Sequence, residues 1–231
     1  MRSSKVIIVA IAIVVAAIYV FTKPLFTNTE QQDADSTKVY TLPWNIEIND
    51  DGTSNVFGIT LEHTTVDELL QLHGIDHELA IISDDYSGLE IYYSHFPIGP
   101  LQGKLIARVR ASQQQLDKMQ AAAASSSYTG SGSRKFLLSE DDLTQIQNWP
   151  IDSISYLPSA RLDESIILDR FGEPEERING EDNIEHFLYP TRGLDIVLNT
   201  EGKELLQYVA PRSFSALAEP LKTLTSEDSV K

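Results

Sequence analysis

The sequence predicts an α+β protein: two tandem repeats of a short helix plus an antiparallel β-meander, preceded by one N-terminal transmembrane helix. Three observations predict this. An unbroken apolar run, "VIIVAIAIVVAAIYVF", fills Val6–Phe21. Two short amphipathic stretches end on glycine, "TTVDELLQLHG" at Thr64–Gly74 and "LDESIILDRFG" at Leu162–Gly172. After each come apolar segments that include the similar words "GLEIYY", Gly88–Tyr93, and "GLDIVL", Gly193–Leu198.

The apolar run comes first. As a helix, its length is roughly 24 Å, somewhat short of the ~30 Å hydrocarbon core. Lys5 and Lys23 flank it and can reach the headgroups by snorkelling. Arg2, Lys5 and the terminal amine precede it, whereas only Lys23 follows closely. The positive-inside bias therefore puts the N-terminus in the cytoplasm and the rest outside. A cleaved signal peptide is the alternative. It wants small residues just after the run, where Tyr19, Val20 and Phe21 stand. The reading is an uncleaved inner-membrane anchor over 1–26. Residues 27–38 are polar and aperiodic, as a flexible tether would be.

The first repeat is expected over 39–110. Thr65 and Glu68 form a capping-box pattern, and Val66, Leu69, Leu70 and His73 share one helical face. Gly74 suits a helix stop. Strands are expected at Leu79–Ser83, Gly88–Tyr93 and Leu105–Val109. Residues 111–134 hold helix formers up to Ala124 and then "YTGSGSR", so they read as a helical and Gly/Ser linker. A valine at Gly132 should be tolerated there.

The second repeat is expected over 135–212. A strand and a helix capped by Ser139 come first, ending at Trp149–Pro150. Asp163 then caps a helix that presents Ile166, Ile167 and Phe171, with Gly172 and Pro174 as stops. Strands follow at Ile184–Pro190, Gly193–Leu198 and Leu205–Val209. Neither helix can bury its apolar face alone, but a sheet built from both meanders offers that surface and hides two strand edges. A short helix after Pro211 and a frayed tail complete 213–231.

This pattern of capped helix, glycine and meander resembles the repeat of the SmpA/OmlA-type envelope lipoproteins. It is also similar to the unit that the β-lactamase-inhibitory-protein fold uses twice. The likeness covers about 57–109 and 154–211, and the second half also resembles a bacterial family of unassigned role. It implies helices against a meander and a periplasmic protein-binding module. The chain departs from the lipoproteins in having no cysteine, so no lipidated anchor is carried over.

Composition removes several chemistries. Without cysteine there is no disulfide, thiolate zinc site or iron–sulfur cluster. Beyond residue 29 the chain has 15 basic residues against 34 acidic ones, which argues against nucleic acid. His63, His73 and His77 are near in sequence, but Gly74 interrupts the helix that a paired zinc site would need. "GPLQGKL", Gly99–Leu105, is too short for a phosphate loop. The paired acids around Asp84, Asp141, Glu173 and Glu175 fall in turns and first helical turns, where carboxylates are common anyway. Acting on wall glycans through such a pair is the enzymatic alternative. An accessory subunit of a membrane complex is another. No cofactor and no metal are expected.

Aromatic strand residues are the stronger hint. Tyr92 and Tyr93 point to opposite faces, whereas Phe187 and Tyr189 share one. If helices cover only one side of the sheet, some of these four are open to another envelope protein. The expected function is a non-catalytic, membrane-anchored periplasmic binding or scaffold module.

Overall fold

The computed structural model describes residues 41–84, 86–180 and 183–228. The expected anchor, 1–26, and tether, 27–38, lie outside these residues. Among the described residues no helix is long and apolar enough to cross a membrane. The fold is α+β and its strands pair antiparallel throughout.

A small sheet comes first, of β1 (Glu47–Ile48), β2 (Ser54–Val56) and β3 (Ile59–Thr60). Phe57 and Gly58 form its tight turn, both with positive φ, +57° and +78°. That turn matches the twist of a two-residue hairpin. Helix α1 (Val66–His73) follows, its capping box closed by Thr65 and Glu68. Strands β4 (Glu78–Ser83), β5 (Ser87–Ile98) and β6 (Leu101–Val109) form a meander.

Of residues 111–134, expected as a helical and Gly/Ser linker, the helix is found and the Gly/Ser stretch is instead paired into the sheet. Helix α2 (Gln113–Ala121) buries Leu116 and Met119. Strand β7 (Ser125–Tyr128) then pairs with β8 (Arg134–Leu137), which pairs with β4. "YTGSGSR" is thus a hairpin turn, and Gly132 stands at φ +95°. The serines around it suggested a flexible stretch, but local composition does not reveal pairing to a distant sheet edge.

Helix α3 (Glu140–Gln145), strand β9 (Ile151–Pro158), helix α4 (Glu164–Phe171), β10 (Glu176–Asn179), β11 (Ile184–Tyr189), β12 (Leu194–Asn199), β13 (Leu205–Val209) and helix α5 (Phe214–Asp228) complete the order. Ten strands form one sheet, β10-β11-β12-β13-β9-β6-β5-β4-β8-β7.

Its register repeats about one central pair. Gln207 faces Ser155 across the β13–β9 seam. On either side, Leu206 faces Tyr156 and Tyr208 faces Ile154. Farther out, Glu78 faces Tyr92 as Glu176 faces Leu188, and Ala80 faces Glu90 as Ile178 faces His186. The strands that correspond are therefore β4 and β10, β5 and β11, β6 and β12, and β9 and β13. "GLEIYY" lies in the second strand after its glycine and "GLDIVL" in the third, so the two words are not equivalent in place.

The main core lies on one sheet face. Val66 and Leu69 of α1, Ile167 and Phe171 of α4, and Val56, Phe57, Ile59 and Leu61 of the small sheet pack on Leu89, Ile91, Tyr156, Ile196 and Tyr208. Phe57 fills the seam, its ring 5.2 Å from that of Tyr156 and 5.5 Å from that of Tyr208. Tyr208 also donates its hydroxyl to the Pro43 carbonyl at 3.0 Å, which fastens the chain's entry to β13.

The opposite face is covered unevenly. Phe214, Ala218 and Leu221 of α5 pack on Ile178 and Leu188, but no described helix lies over the corresponding first-half residues.

Candidate functional site

Side chains alternate along strands, so the second face is built from Glu90 on β5, Ile106 and Arg108 on β6, Ser153 and Ser155 on β9, and Gln207 on β13. The pairings place them in two adjacent transverse rows: Glu90, Arg108 and Ser153 in one, and Ile106, Ser155 and Gln207 in the other. The second row continues through Asp195 opposite Gln207. There His186 Nδ1 meets Asp195 Oδ2 at 2.9 Å, in a pair buried to 6% and 0% exposure.

Two cavities open above these rows. One, of about 540 Å³, lies beside α5 and is lined by Ala216, Leu217, Gln207, Ser155, Arg108 and Glu90. The other, of about 240 Å³, lies beneath the β7–β8 hairpin and is lined by Tyr92, Ala80, Leu157, Lys104, Tyr128 and Gly130. Ile82, Glu90 and Ile106 belong to both, so they form a continuous trough. Its floor runs from β13 to β4, and its walls are α5 and the hairpin.

Electrostatics on the floor are unusual. Burial pushes the Glu90 carboxyl up to about 7, against the pull of the Arg108 charge. Gln207 is 7% exposed, and its Oε1 has no hydrogen-bond partner within the protein. A buried acceptor left unpaired costs about 1–3 kcal/mol, so a donor placed above it would be favourable.

At one end of the trough sits an ionic cluster. Glu62, at φ +67°, accepts from both Arg212 and Ser213 and meets Arg110 at 3.2 Å. Burial works to raise its carboxyl, but the hydrogen bonds from Ser213, Arg212 and Arg110 outweigh that and hold it at about 2. The cluster ties the start of α1, the end of β6 and the start of α5 together.

Of the four aromatic candidates, only Tyr92 reaches the trough. Tyr93, Phe187 and Tyr189 are 2%, 0% and 2% exposed and belong to the main core beneath the helices. They are corrected from partner-binding to packing residues. Burial pushes the hydroxyls of Tyr93 and Tyr189 up to about 12, which keeps them protonated as donors. Alternation gave the relative faces of Tyr92 and Tyr93, but it could not say which face the helices take. Glu90 and Gln207 were missed. The signal for Glu90 was an acid among apolar strand residues in "GLEIYY"; Gln207 in "LLQYV" is the same kind of signal.

The histidines act separately. His63 Nε2 meets Asp51 at 2.6 Å, His73 Nε2 meets the Phe57 carbonyl at 2.9 Å, and the His77 ring rests 5.7 Å from Tyr93. Among the described residues no group of three or more His, Cys, Asp or Glu is placed to hold a metal ion. The acids in the turns have local duties: Asp142 accepts from Ser139, Glu175 from Thr191, and Glu176 meets Lys222.

Comparison of the chain with protein-family models, curated proteins and solved structures finds no match.

Proposed function

We propose that the chain is a membrane-anchored periplasmic module of the cell envelope that binds another protein and does no chemistry of its own. The trough carries this reading. Its floor mixes apolar side chains with a half-buried carboxyl and an unpaired buried amide oxygen. Such a surface favours a partner that brings its own donors. The apolar run at Val6–Phe21 and the polar 27–38 supply the address, an anchor and a spacer that hold the domain off the inner membrane.

The two halves are also read as a duplicated unit. The repeated register about Gln207 and Ser155 supports it, and so do two similarly capped helices. A shared hydrogen bond supports it as well: Tyr93 and Tyr189 both return to the glycine that ends their helix.

The test has two readouts in intact cells. A phosphatase active only in the periplasm, fused after Lys231, should be active. An amine-reactive crosslinker applied to cells carrying the full chain should give a discrete protein adduct. Activity only of a cytoplasmic reporter overturns the address, and the absence of any adduct overturns the binding role.

A further inference from the structure

Most charges around the larger cavity are closed among themselves. Arg110 meets Glu62 at 3.2 Å and Asp152 at 2.6 Å, and Glu62 also accepts from Arg212 and Ser213. Glu90 and Arg108 differ. They stand opposite one another on β5 and β6. Yet the Arg108 guanidinium donates to the Ser87 carbonyl, at 3.4 Å, and among the described residues no ion pair joins it to Glu90. Both charged ends border the bare surface of Gly88, where a Cβ would stand 3.4 Å from Glu90 Oε1 and 3.5 Å from Arg108 Nε. An acid and a base thus line one space of about 540 Å³ side by side, and that volume is of small-ligand size.

The floor continues from Arg108 through Ser153 and Ser155 to Gln207. Gln207 is 7% exposed and its Oε1 has no partner within the protein, so it needs a donor. Arg108 and Gln207 stand two strands and two residues apart, roughly 12 Å between backbones at ordinary spacing. An extended peptide covers that in three or four residues, at about 3.3–3.6 Å each.

Apart from the protein-binding role above, we infer that the cavity beside α5 binds the free amino terminus of a short peptide, its ammonium on Glu90, its first carbonyl on Arg108 and a later N–H on Gln207 Oε1. A peptide's first residue carries a cation and a carbonyl acceptor close together, which is the complement of a carboxylate beside a guanidinium. The peptide lies across the strands rather than along an edge. Its polar backbone therefore meets side chains, the hydroxyls of Ser153 and Ser155 and the Gln207 amide, instead of a ladder.

Isothermal titration calorimetry of the full chain in detergent micelles tests this, with tetraalanine as the probe. Tetraalanine and its C-terminal amide should bind alike, and N-acetylation should weaken binding about tenfold or more. Glu90→Gln should weaken tetraalanine by about the same factor. Gln207→Leu, which removes an unpaired acceptor and keeps the apolar bulk, should weaken tetraalanine but leave dialanine unchanged, since dialanine is too short to reach it. Equal binding of the acetylated peptide overturns the inference, and so does loss on amidation instead, because the other terminus is then the one held. Binding that neither variant changes indicates adventitious contact and overturns it too, as does no heat from any probe. The acetylation and amidation arms use the parent chain, so they stand even where a variant fails to fold, and circular dichroism identifies such a variant.

Discussion

Tyr189 donates its hydroxyl to the carbonyl of Gly172 at 2.8 Å, the residue that ends helix α4. Tyr93 does the same for Gly74 at the end of α1, at 3.1 Å. A carbonyl at a helix end has no partner within the helix, and here a strand supplies one. Each bond thus fixes a helix terminus to the sheet beneath it. Tyr189→Phe and Tyr93→Phe should each cost about 1 kcal/mol, since the ring stays and only the donor goes. Urea unfolding of both variants checks this. A cost at one site alone would mean that the two helix ends are not held alike.

The glycines separate two kinds of constraint. Gly172 has φ +79° and open space where a Cβ would sit, so Gly172→Val should cost roughly 1–2 kcal/mol from backbone strain alone. Gly103 has the opposite problem. A Cβ there would lie 2.4 Å from the Leu157 carbonyl oxygen and 2.5 Å from the Tyr156 ring. Gly103→Ala should therefore cost more, about 3 kcal/mol, by forcing β6 away from β9. Thermal unfolding ranks the two, and the reverse order would contradict this geometry.

Glu90 makes stability depend on pH in an uncommon direction. Its carboxyl is raised from 4.5 to about 7 in the folded state. The folded chain then binds a proton more readily than the unfolded one between those values. This contribution is complete below about pH 4.5 and is lost as pH rises through 7. Glu90→Gln keeps the shape without the charge, so it should raise stability at pH 8 by about 1–3 kcal/mol and leave it little changed at pH 4. Denaturant titrations at the two pH values measure the difference; a gain of equal size at both would exclude titration as the cause.

Glu62 works with the opposite sign. Its carboxyl is held at about 2, below its ordinary 4.5. The stability it gives is present above pH 4.5 and is lost as pH falls through about 2. Arg212→Ala removes two of its donors and leaves a side chain only 7% exposed partly unpaired. That variant should lose about 1–3 kcal/mol at pH 7 and begin acid unfolding at a higher pH than the parent. An acid-unfolding curve followed by tryptophan fluorescence reports it.

Much of the framework was legible in local chemistry. Thr65 with Glu68, and Asp163 followed by Gly172, mark helix boundaries because caps and stops depend on neighbours in sequence. The apolar run in "LAIIS" and the alternation in "IEHFLY" mark strands for the same reason. What could not be read was nonlocal. The strand β9 lies between β6 and β13 in the sheet, so the two meanders meet through it rather than edge to edge. The small sheet that puts Phe57 into the seam leaves only turn signals, Asp51–Gly52 and Phe57–Gly58, around strands of two or three residues. The site was harder still. Tyr93 and Tyr92 are neighbours of one type, and only tertiary packing assigns one to the core and the other to the trough. Glu90 and Gln207 look like ordinary strand polar residues until their neighbours across the sheet are known.

The bond from Tyr208 to the Pro43 carbonyl bears on mechanics. Strand β13 has three strands on one side and six on the other. A tug arriving along the chain from the N-terminal side of Pro43 therefore reaches the interior of the sheet before any edge. A load applied at an edge peels one ladder bond after another, whereas a load on an interior strand strains the ladders on both flanks together. A domain pulled in this way resists being unravelled from that end. The hairpin wall at β7 and β8 stands at the far margin of the sheet, away from the path of that force.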